Sequence, residues 1–379
     1  MPISAYGGKL VDRLIDDKEL SARLDKVRDK KYISPDDIIN MQNLAAGCYS
    51  PLEGFMTEIE YNSVTLSSTL PSGHAWTIPV LLRVEAPPEG DKVALCGPDG
   101  VVIGMMEVES VFVIDNEKFC RNVFGTADRD HPGVRHAMKK EGTCIGGKIF
   151  LSRSGMATHR HFRTPRECRG WLKATGKKAF TAFSTRNVCH IGHQHLHGLA
   201  LDVTDMLGIN VITGAQVEGS FLPDVVFDIY EHLISGSYPK GRVFLNNLMI
   251  PPIYAGPKEA FLQATMLQNY GFTHVIIGRD HAGVGRYYPK YGSQKIFEEL
   301  KGLDISVLPI AEPVFCKVCN KVTTEVFCRH TGDDIRHLNG RDVRRYLMEK
   351  RHEELDAVIG KDVRDLLVGM LEKNAKIFY

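Results

Sequence analysis

The sequence predicts an α/β protein in which a β-rich N-terminal domain precedes a parallel sheet with helices on both faces. Residues 75–115 alternate short β-branched runs with turns, among them Gly97-Pro98-Asp99-Gly100, a strong hairpin signal. After a capping box that begins at Thr164, apolar strands and amphipathic helices alternate along the chain. Alternation of this kind indicates a parallel sheet between two layers of helices, so we place the domain boundary near residue 162.

The individual elements follow from hydrophobic periodicity and from Gly and Pro punctuation. The N-terminal part predicts a helical, charged stretch up to about Lys31, a helix over residues 35–46, and strands over residues 76–84, 92–96, 101–113 and 146–151. Asp130-His131-Pro132-Gly133-Val134 is expected to be a loop in which Pro and Gly fix a turn. The second part predicts strands over residues 179–183, 210–213, 242–250, 274–278 and 305–308, and helices over residues 223–234 and 257–269. Charged helices are expected near the end of the chain; Arg341 and Arg344 could serve phosphate, but solvent is the favoured place for them.

Length and composition limit the class of protein. The chain has 379 residues, of which 43% are hydrophobic, and this is enough for two or three domains with a substantial core. Its 47 Lys and Arg residues nearly balance 46 Asp and Glu residues, which argues against nucleic acid or a membrane surface as a partner. The first residues lack an apolar signal core and no run approaches the length of a membrane span, so a cytoplasmic location is expected.

The stretch over residues 177–199 carries the strongest functional signal. A short apolar strand, Ala179–Phe183, is followed by the polar residues Ser184–Asn187, and a helix then opens at His190-Ile191-Gly192-His193. A helix N-terminus at the carboxyl edge of a parallel sheet offers free N–H groups and a positive dipole end, which suit phosphate. Arg186 adds a guanidinium matched to phosphate or sulfate oxygens. The His-x-Gly-His pattern is typical of enzymes that transfer adenylyl and other nucleotidyl groups.

Two other interpretations of these histidines stay open. A match as short as His-x-Gly-His can arise by chance. His193 and His197, four residues apart, could instead hold zinc on one helical face, although no Glu or Asp stands between them as metalloprotease chemistry requires. We expect His195 and His197 to be ordinary helix-face residues.

A second transition from strand to loop has the same character. The strand at His274–Ile277 runs into Gly278-Arg279-Asp280-His281-Ala282-Gly283-Val284-Gly285, a loop with a cation and small residues that let a ligand approach the backbone. An ion pair between Arg279 and Asp280 is the alternative, but two such loops at one sheet edge favour a shared ligand site. A third loop, Tyr254-Ala255-Gly256-Pro257-Lys258-Glu259, is expected mainly to start a helix, although its lysine could face an anion.

A cluster of candidate metal ligands lies near the C-terminus. Cys316-x-x-Cys319 is followed by Cys328-x-His330, and three thiolates with one imidazole suit a closed, structural, tetrahedral zinc site. A reduced thiol cluster or a redox pair is the alternative, against which His330 argues. The other six cysteines are expected to be free and mostly buried.

Together these motifs resemble the ATP sulfurylase family, in order and over nearly the whole chain. The resemblance rests on Gly7-Gly8-Lys9-Leu10-Val11, Ser50-Pro51-Leu52-Glu53-Gly54-Phe55-Met56, Asp130 to Val134, Tyr254 to Ala260 and, most specifically, Gly278 to Gly283. The Cys3His cluster is similar to a zinc motif found in many bacterial and archaeal members.

The resemblance implies a fold and a plan of domains. It implies a PUA-like β-rich domain over residues 1–162, a Rossmann-like nucleotidyltransferase domain over residues 163–315, and a zinc motif with a small C-terminal domain over residues 316–379. It also suggests a homodimer. The chain is expected to end before a fused kinase domain.

The resemblance further implies transfer of the adenylyl group of ATP to sulfate, which gives adenosine 5′-phosphosulfate and pyrophosphate. Mg2+ is expected to arrive with ATP, and Zn2+ to be structural. The catalytic residues implied are Thr185, Arg186, Asn187, His190, His193 and Arg279. The implied nucleotide-binding residues are Phe183, Asn187, Gly278, Arg279, Asp280 and His281, and those for sulfate are Ser184, Arg186 and Ala282.

The sequence departs from the family pattern near the oxyanion. The family's active-site run is Gln-Thr-Arg-Asn-Pro-x-His-x-x-His, and here Ser184 replaces the Gln and Val188 the Pro. Within residues 214–224, Val217-Glu218-Gly219-Ser220 stands where the family usually has Lys near a Gly-Asp. An adenylyltransferase for a different oxyanion or acid is therefore a rival. A non-catalytic nucleotide-binding paralogue is another, although it would be expected to lose a motif histidine or Arg279.

Overall fold

The computed structural model of the chain describes residues 1–140, 142–156, 159–214 and 219–379. The departure predicted at residues 214–224 falls partly on residues 215–218, which lie outside this description. The strands of the described ranges form sheets of seven, five and three strands. No helix among these residues is long and apolar enough to cross a membrane.

The N-terminal part is built on the seven-stranded sheet. Its strands are β1 (Leu14–Ile15), β2 (Lys30–Tyr32), β3 (Gly54–Phe55), β4 (Leu82–Val84), β5 (Lys92–Cys96), β6 (Val102–Phe112) and β7 (Thr143–Ser152). Its helices are α1 (Asp17–Leu24), α2 (Pro35–Ala45), α3 (Glu58–Ser67), α4 (Asn116–Phe124) and α5 (Pro132–Met138). The strand order is β1-β7-β6-β5-β2, and β3 and β4 also pair with β7. The predicted hairpin turn joins β5 to β6, where the Gly100 N–H donates to the Gly97 carbonyl at 2.9 Å.

Three details of the N-terminal part were predicted wrongly. The helical stretch ends at Leu24, and Lys30–Tyr32 pairs with β5 as a strand. Only the last three residues of the predicted strand over residues 76–84 are in a sheet; Trp76 packs into the core, and its backbone N–H donates to the Ser68 carbonyl outside any strand. The predicted loop at residues 130–134 is the start of α5, since the His131 ring accepts hydrogen bonds from two backbone N–H groups and caps that helix.

The second part is a parallel five-stranded sheet between helices, as predicted. Its strands are β8 (Phe180–Thr185), β9 (Met206–Thr213), β10 (Val243–Met249), β11 (His274–Ile276) and β12 (Ser306–Leu308). Its helices are α6 (Pro165–Ala174), α7 (Ile191–Val203), α8 (Pro223–Gly236), α9 (Pro257–Tyr270) and α10 (Gly292–Glu299). The capping box at Thr164 starts α6. The strand order is β10-β9-β8-β11-β12, so the order reverses between β8 and β11.

Alternating side chains bury both faces of this sheet. Leu207, Ile209 and Val211 of β9 pack into one hydrophobic core, together with residues of α7 and α8. Phe180 and Ala182 of β8 point to the other face, where the core includes α6 and α9 and continues into the N-terminal part. Because both faces are covered, the strand ends are left as the place where a ligand can reach the sheet.

The C-terminal part consists of a three-stranded ribbon and three helices. The ribbon contains β13 (Pro313–Cys316), β14 (Lys321–Thr324) and β15 (Ile335–His337), in the antiparallel order β14-β13-β15. The helices are α11 (Gly340–Met348), α12 (His352–Ile359) and α13 (Lys361–Glu372). Their apolar residues join the core on the α7 and α8 side of the parallel sheet. The C-terminal helices therefore support the helix that carries the His-x-Gly-His motif.

Candidate active site

A cleft of about 400 Å3 opens at the carboxyl ends of β8 and β11, where the strand order reverses. Ligands of open α/β sheets bind at such a position. The cleft is lined by Phe183, Ser184, Thr185, Arg186, Asn187, His190 and His193 from the first predicted loop and by Gly278, Arg279, Asp280, His281, Ala282 and Gly283 from the second. Tertiary structure thus brings the two loops together at one site.

The first loop starts two residues later than predicted, because β8 continues through Thr185. Thr185 Oγ1 accepts a hydrogen bond from the Asn187 N–H at 3.0 Å and fixes the turn after the strand. The Ser184 hydroxyl oxygen is buried and has no hydrogen-bond partner in the part of the chain that the structure describes. Ser184 is thus a polar group of the cleft wall that remains available to a ligand.

His190 caps α7 with its own side chain. Its Nδ1 accepts a hydrogen bond from the backbone N–H of His193 at 3.2 Å, a role more usual for Ser, Thr, Asp or Asn. The two rings stack with their centroids 3.7 Å apart. A Cβ at Gly192 would lie only 3.0 Å from His190 Nδ1, so glycine suits the position between them.

Burial keeps the two motif histidines neutral. Desolvation lowers the pKa of His190 to about 4 and holds the pKa of His193 well below its usual range. In a neutral imidazole one nitrogen accepts and the other carries the hydrogen. Because Nδ1 of His190 accepts the cap bond, its Nε2 is the N–H donor. His190 is therefore suited to donate to an anion without carrying a charge.

Arg186 brings a fixed positive charge into the cleft. Its guanidinium makes no hydrogen bond or salt bridge with any residue in the described ranges. Burial lowers the pKa of Arg186, and the nearby Glu259 carboxylate opposes this effect. A buried cation without a direct partner is costly in a protein, and an anionic ligand would remove that cost.

Glu259 and Gln263 were missed from sequence, and they form the floor of the cleft with His281. Gln263 donates to Glu259 Oε1 at 3.0 Å, and its carbonyl oxygen lies 2.8 Å from His281 Nε2, which therefore carries the hydrogen. Burial raises the pKa of Glu259 and lowers the pKa of His281 to about 4. In the sequence, Glu259 is part of a predicted helix start. An acid is common in the first turn of a helix, so its position there does not indicate that it also lines a cleft.

The backbone of the second loop is held open by small residues. A Cβ at Gly283 would lie 2.0 Å from Asp280 Oδ1, whereas a Cβ at Gly278 would meet no atom within 4 Å. Ala282 has a φ of 56° and its carbonyl accepts a hydrogen bond from the Gly256 N–H at 3.0 Å. The third predicted loop is thereby tied to the second. Its Lys258 donates to the Asn122 carbonyl at 2.6 Å, and α9 starts beside it at Pro257, as predicted.

Arg279 pairs with Glu312 and forms no ion pair with Asp280. Arg279 Nη1 lies 3.5 Å from Glu312 Oε2, and the same carboxylate is approached by Lys290 Nζ at 3.5 Å and by His337 Nδ1 at 3.1 Å. Glu312 directly precedes β13, and sequence analysis assigned it no role. The residue just before the ribbon therefore contributes a buried acid to the cleft.

Arg344, for which solvent was the favoured prediction, and His197, predicted as an ordinary helix-face residue, both have specific contacts in the structure. Arg344 donates from Nη1 to Asn187 Oδ1 at 3.2 Å, and burial lowers its pKa, because the start of α11 packs against Asn187. Arg341 is exposed, as predicted. His197 is fully buried against Phe183 of β8 and Tyr230 of α8, because the inward face of α7 packs on β8 and β9. Sequence periodicity could not show which further elements would cover these two side chains.

The Cys3His cluster is assembled as the spacing predicts. Cys316, Cys319 and Cys328 place their Sγ atoms 3.4, 3.4 and 3.5 Å from His330 Nδ1, and all four atoms lie within 4.8 Å of one another. The cluster could bind a metal ion. In the described residues no third ligand joins His193 and His197, which leaves the alternative zinc site there unsupported. The other six cysteines are free and buried, as expected.

Comparison with known proteins agrees with this architecture. The sequence profile of the ATP-sulfurylase family matches residues 159–362, and that of a PUA-like domain matches residues 3–154. A sulfate adenylyltransferase from Hyperthermus butylicus is 36% identical over 352 residues, which cover 91% of this chain and 90% of the relative. One from Halothermothrix orenii is 33% identical over 380 residues, which cover 97% of this chain and 99% of the relative.

A solved structure, described as the hexameric APS kinase from Thiobacillus denitrificans, matches with a TM-score of 0.67 at 18% identity. The match covers 91% of this chain but 64% of that chain, so this chain spans less than two thirds of it, and the likeness shows the fold alone. The fold is thus a PUA-like N-terminal domain followed by an α/β domain of the nucleotidyltransferase type. From the family match and the identity of these relatives, the chain belongs to the ATP-sulfurylase family.

Proposed function

We propose that this chain transfers the adenylyl group of ATP to sulfate, giving adenosine 5′-phosphosulfate and pyrophosphate. One observation carries the proposal: a single cleft contains two groups that suit anions. One is the start of α7 with its two neutral histidines, and the other is the half-buried guanidinium of Arg186. Relatives named sulfate adenylyltransferase, at 33–37% identity, support the same activity.

We assign the side-chain roles by resemblance to the family, and the presence of these residues in one cleft supports the assignment. Arg186, Ser184 and Ala282 hold sulfate. His190, His193, Asn187 and Arg279 contact the phosphates, and Thr185 fixes the loop between them. Phe183, Gly278, Asp280 and His281 line the nucleotide. This assignment puts the acceptor anion and the α-phosphate side by side at the end of β8, where the fixed charge of Arg186 lies close to the start of α7.

The reaction needs positioning and charge stabilisation more than proton transfer. Sulfate is already an anion, so its oxygen attacks the α-phosphorus without a general base. A new P–O bond to sulfate forms as the bond between the α- and β-phosphates breaks, and pyrophosphate leaves with its negative charge. Preorganised N–H donors and fixed cations stabilise the charge that develops in such a step. Mg2+ bound to ATP supplies further neutralisation of the leaving group.

We assign structural Zn2+ to the Cys3His cluster. Tetrahedral zinc with Zn–S of about 2.3 Å and Zn–N of about 2.0 Å requires S to N separations of about 3.5 Å. The separations of 3.4 to 3.5 Å to His330 Nδ1 fit that geometry. With four protein ligands no coordination position is left for a substrate, so the ion would stabilise the ribbon.

The remaining expectations are part of this proposal. We propose domains over residues 1–162, 163–315 and 316–379, and a homodimer, both by resemblance to the family. Use of ATP and nine unpaired cysteines support a cytoplasmic location.

The proposal is tested by pyrophosphate release from MgATP with sulfate, selenate, molybdate, phosphate or no anion. We expect sulfate-dependent release in wild type and a loss of at least about 100-fold in Arg186→Gln, because a buried charged contact to the acceptor is removed. Folding of Arg186→Gln should be intact, since the guanidinium bonds to no described residue. Release with none of the anions, despite ATP binding, would instead favour a non-catalytic nucleotide-binding paralogue.

A second candidate, an adenylyltransferase for a different oxyanion, is favoured by Ser184. Its side chain is shorter than the Gln of the family pattern, and its buried hydroxyl has no partner among the described residues, which suits a larger or differently protonated anion. Ser184→Ala should raise KM for the true acceptor by about fivefold or more without loss of stability, because only a ligand uses this hydroxyl. The anion whose KM rises in the Ser184→Ala variant is then identified as the acceptor. No response with any anion would remove Ser184 from the site.

A further inference from the structure

Behind His193 lies a set of buried polar groups that the proposed reaction does not use. His197, one turn further along α7, is fully buried and does not line the cleft. Its Nδ1 lies 2.6 Å from the hydroxyl of Tyr238. Phe183 meets both imidazoles edge-on, at 5.0 Å from His193 and 4.4 Å from His197. The two rings are thereby held in fixed orientations side by side.

The hydrogen positions in this set can be deduced. Burial raises the pKa of the Tyr238 phenol, so the phenol keeps its proton and donates it to a nearby acceptor. That acceptor is His197 Nδ1, since the Cys189 sulfur lies 3.9 Å away. Burial lowers the pKa of His197 to about 3, so the ring is neutral and its hydrogen sits on Nε2. This N–H is buried and has no partner within the described ranges.

His193 offers the complementary group. Its Nδ1 is also buried and without a partner among the described residues, whereas its ring lines the cleft, so Nε2 is the nitrogen nearer the cleft. The two ring centroids lie 6.3 Å apart and the nitrogens make no direct bond. One bridging water can join two groups up to about 5.5 Å apart. The hydroxyl of Tyr230, buried beside His197, offers such a water a third contact.

We propose that Tyr238 and His197 are positioning residues that hold His193 as the tautomer with its hydrogen on Nε2. The hydrogen bonds run from the Tyr238 hydroxyl to His197 Nδ1, and from His197 Nε2–H through one water to His193 Nδ1. The proposal rests on the proposed function in one respect, that His193 donates to a phosphate of the nucleotide. With the other tautomer, Nε2 would present a lone pair to an anionic oxygen and would repel it.

These hydrogen bonds from Tyr238 through His197 to His193, here called the relay, would fix the tautomer of His193 as the helix cap fixes that of His190. The backbone N–H of His193 fixes the tautomer of His190 directly. No backbone group of the described ranges does this for His193, because its Nδ1 faces the interior of α7 and β8. A side-chain relay through the next turn therefore gives both histidines an Nε2–H donor.

The tautomer of His193 is measured directly by 15N NMR of the full chain with 15N-labelled histidine, without substrates. His193→Gln assigns the signal. We expect the Nε2–H tautomer in wild type and a mixture of both tautomers in Tyr238→Phe, which lacks a single oxygen atom. The Nδ1–H tautomer in wild type, or an unchanged pattern in Tyr238→Phe, would overturn the proposal. This measurement stays valid whether or not the chain uses sulfate.

Kinetics supply the second readout. Tyr238→Phe and His197→Leu should lower kcat for pyrophosphate release about tenfold with little change in KM for sulfate, as the loss of one hydrogen bond to a charged group predicts. His197→Gln should recover most of the rate, because its amide can accept from Tyr238 and donate onward.

His195→Gln, on the same helix but outside the cleft, should behave as wild type. An equal loss in the Gln and Leu variants of His197 would contradict the relay. Absence of turnover in wild type would count against the proposed function alone.

Discussion

The guanidinium of Arg279 lies 3.5 Å from the carboxylate of Glu312, and this contact joins the second loop of the cleft to the base of the Cys3His ribbon. Lys290 and His337 approach the same carboxylate, so one buried acid holds two loops and a strand together. A nucleotide whose phosphates bind Arg279 has to compete with Glu312. We therefore expect the ion pair to connect the affinity for the nucleotide with the stability of the ribbon.

Glu312→Gln should lower KM for ATP about three- to tenfold, because a partly exposed ion pair of roughly 1 kcal/mol no longer competes for Arg279. The change should shrink at high ionic strength. Glu117→Gln is the control, since Glu117 pairs with Arg121 at 2.6 Å on α4 and does not line the cleft. A higher KM in Glu312→Gln would mean that the carboxylate orients Arg279 for the nucleotide instead of competing with it.

Removal of metal from the Cys3His cluster should destabilise the ribbon and then the nucleotide site. Chelation is expected to lower Tm by about 10 °C and to raise KM for ATP, because Glu312 immediately precedes β13 and loses its fixed position. Metal analysis should give one zinc per chain, and added zinc should restore both values. A chain that keeps its Tm and KM after complete loss of zinc would show that the thiols need no ion.

The two roles of His190 should separate in two variants. His190→Ala should lose about 1 kcal/mol of the free energy of unfolding with the helix cap, whereas His190→Asn should keep it, because Asn is a good N-cap. Both should lose turnover by about 100-fold if the ring donates to a phosphate. Urea unfolding measures the first effect and pyrophosphate release the second. Normal turnover in His190→Asn would restrict His190 to capping.

Acid should destabilise the fold through His281. Its pKa is about 4 in the folded chain against 6.5 as its ordinary value, so the unfolded chain binds a proton more readily between these pH values. Stability is thus lost as pH falls from about 6.5 to 4, by up to about 3 kcal/mol from this group. The free energy of unfolding of His281→Gln should fall less over that range. The exposed His352→Gln should follow wild type, and an unchanged slope in His281→Gln would show that His281 does not stay neutral.

Local sequence patterns predicted much of the fold. The capping box at Thr164, the hairpin turn at residues 97–100 and the parallel alternation after residue 162 all hold in the structure. The errors arose where the contacts of one side chain, and not the local backbone preference, decided the local structure. His131 starts a helix where Pro and Gly suggested a turn, and Trp76 packs into the core where its β propensity suggested a strand. Local propensity does not report such competing contacts.

The sequence by itself determined which chemical groups are available. They are a helix start with His-x-Gly-His, a loop with Arg279 and glycines, and four candidate metal ligands whose spacing suits one tetrahedral ion. These signals are local, because caps, turns and ligand spacings are set by neighbours along the chain. Only the tertiary structure decided that Glu259 and Glu312 face the same cleft, that Arg344 reaches Asn187, and that His197 lies behind His193. Those contacts join residues far apart in sequence or depend on what covers a helix face. Their energies come from burial and packing between elements, which no single stretch of sequence specifies.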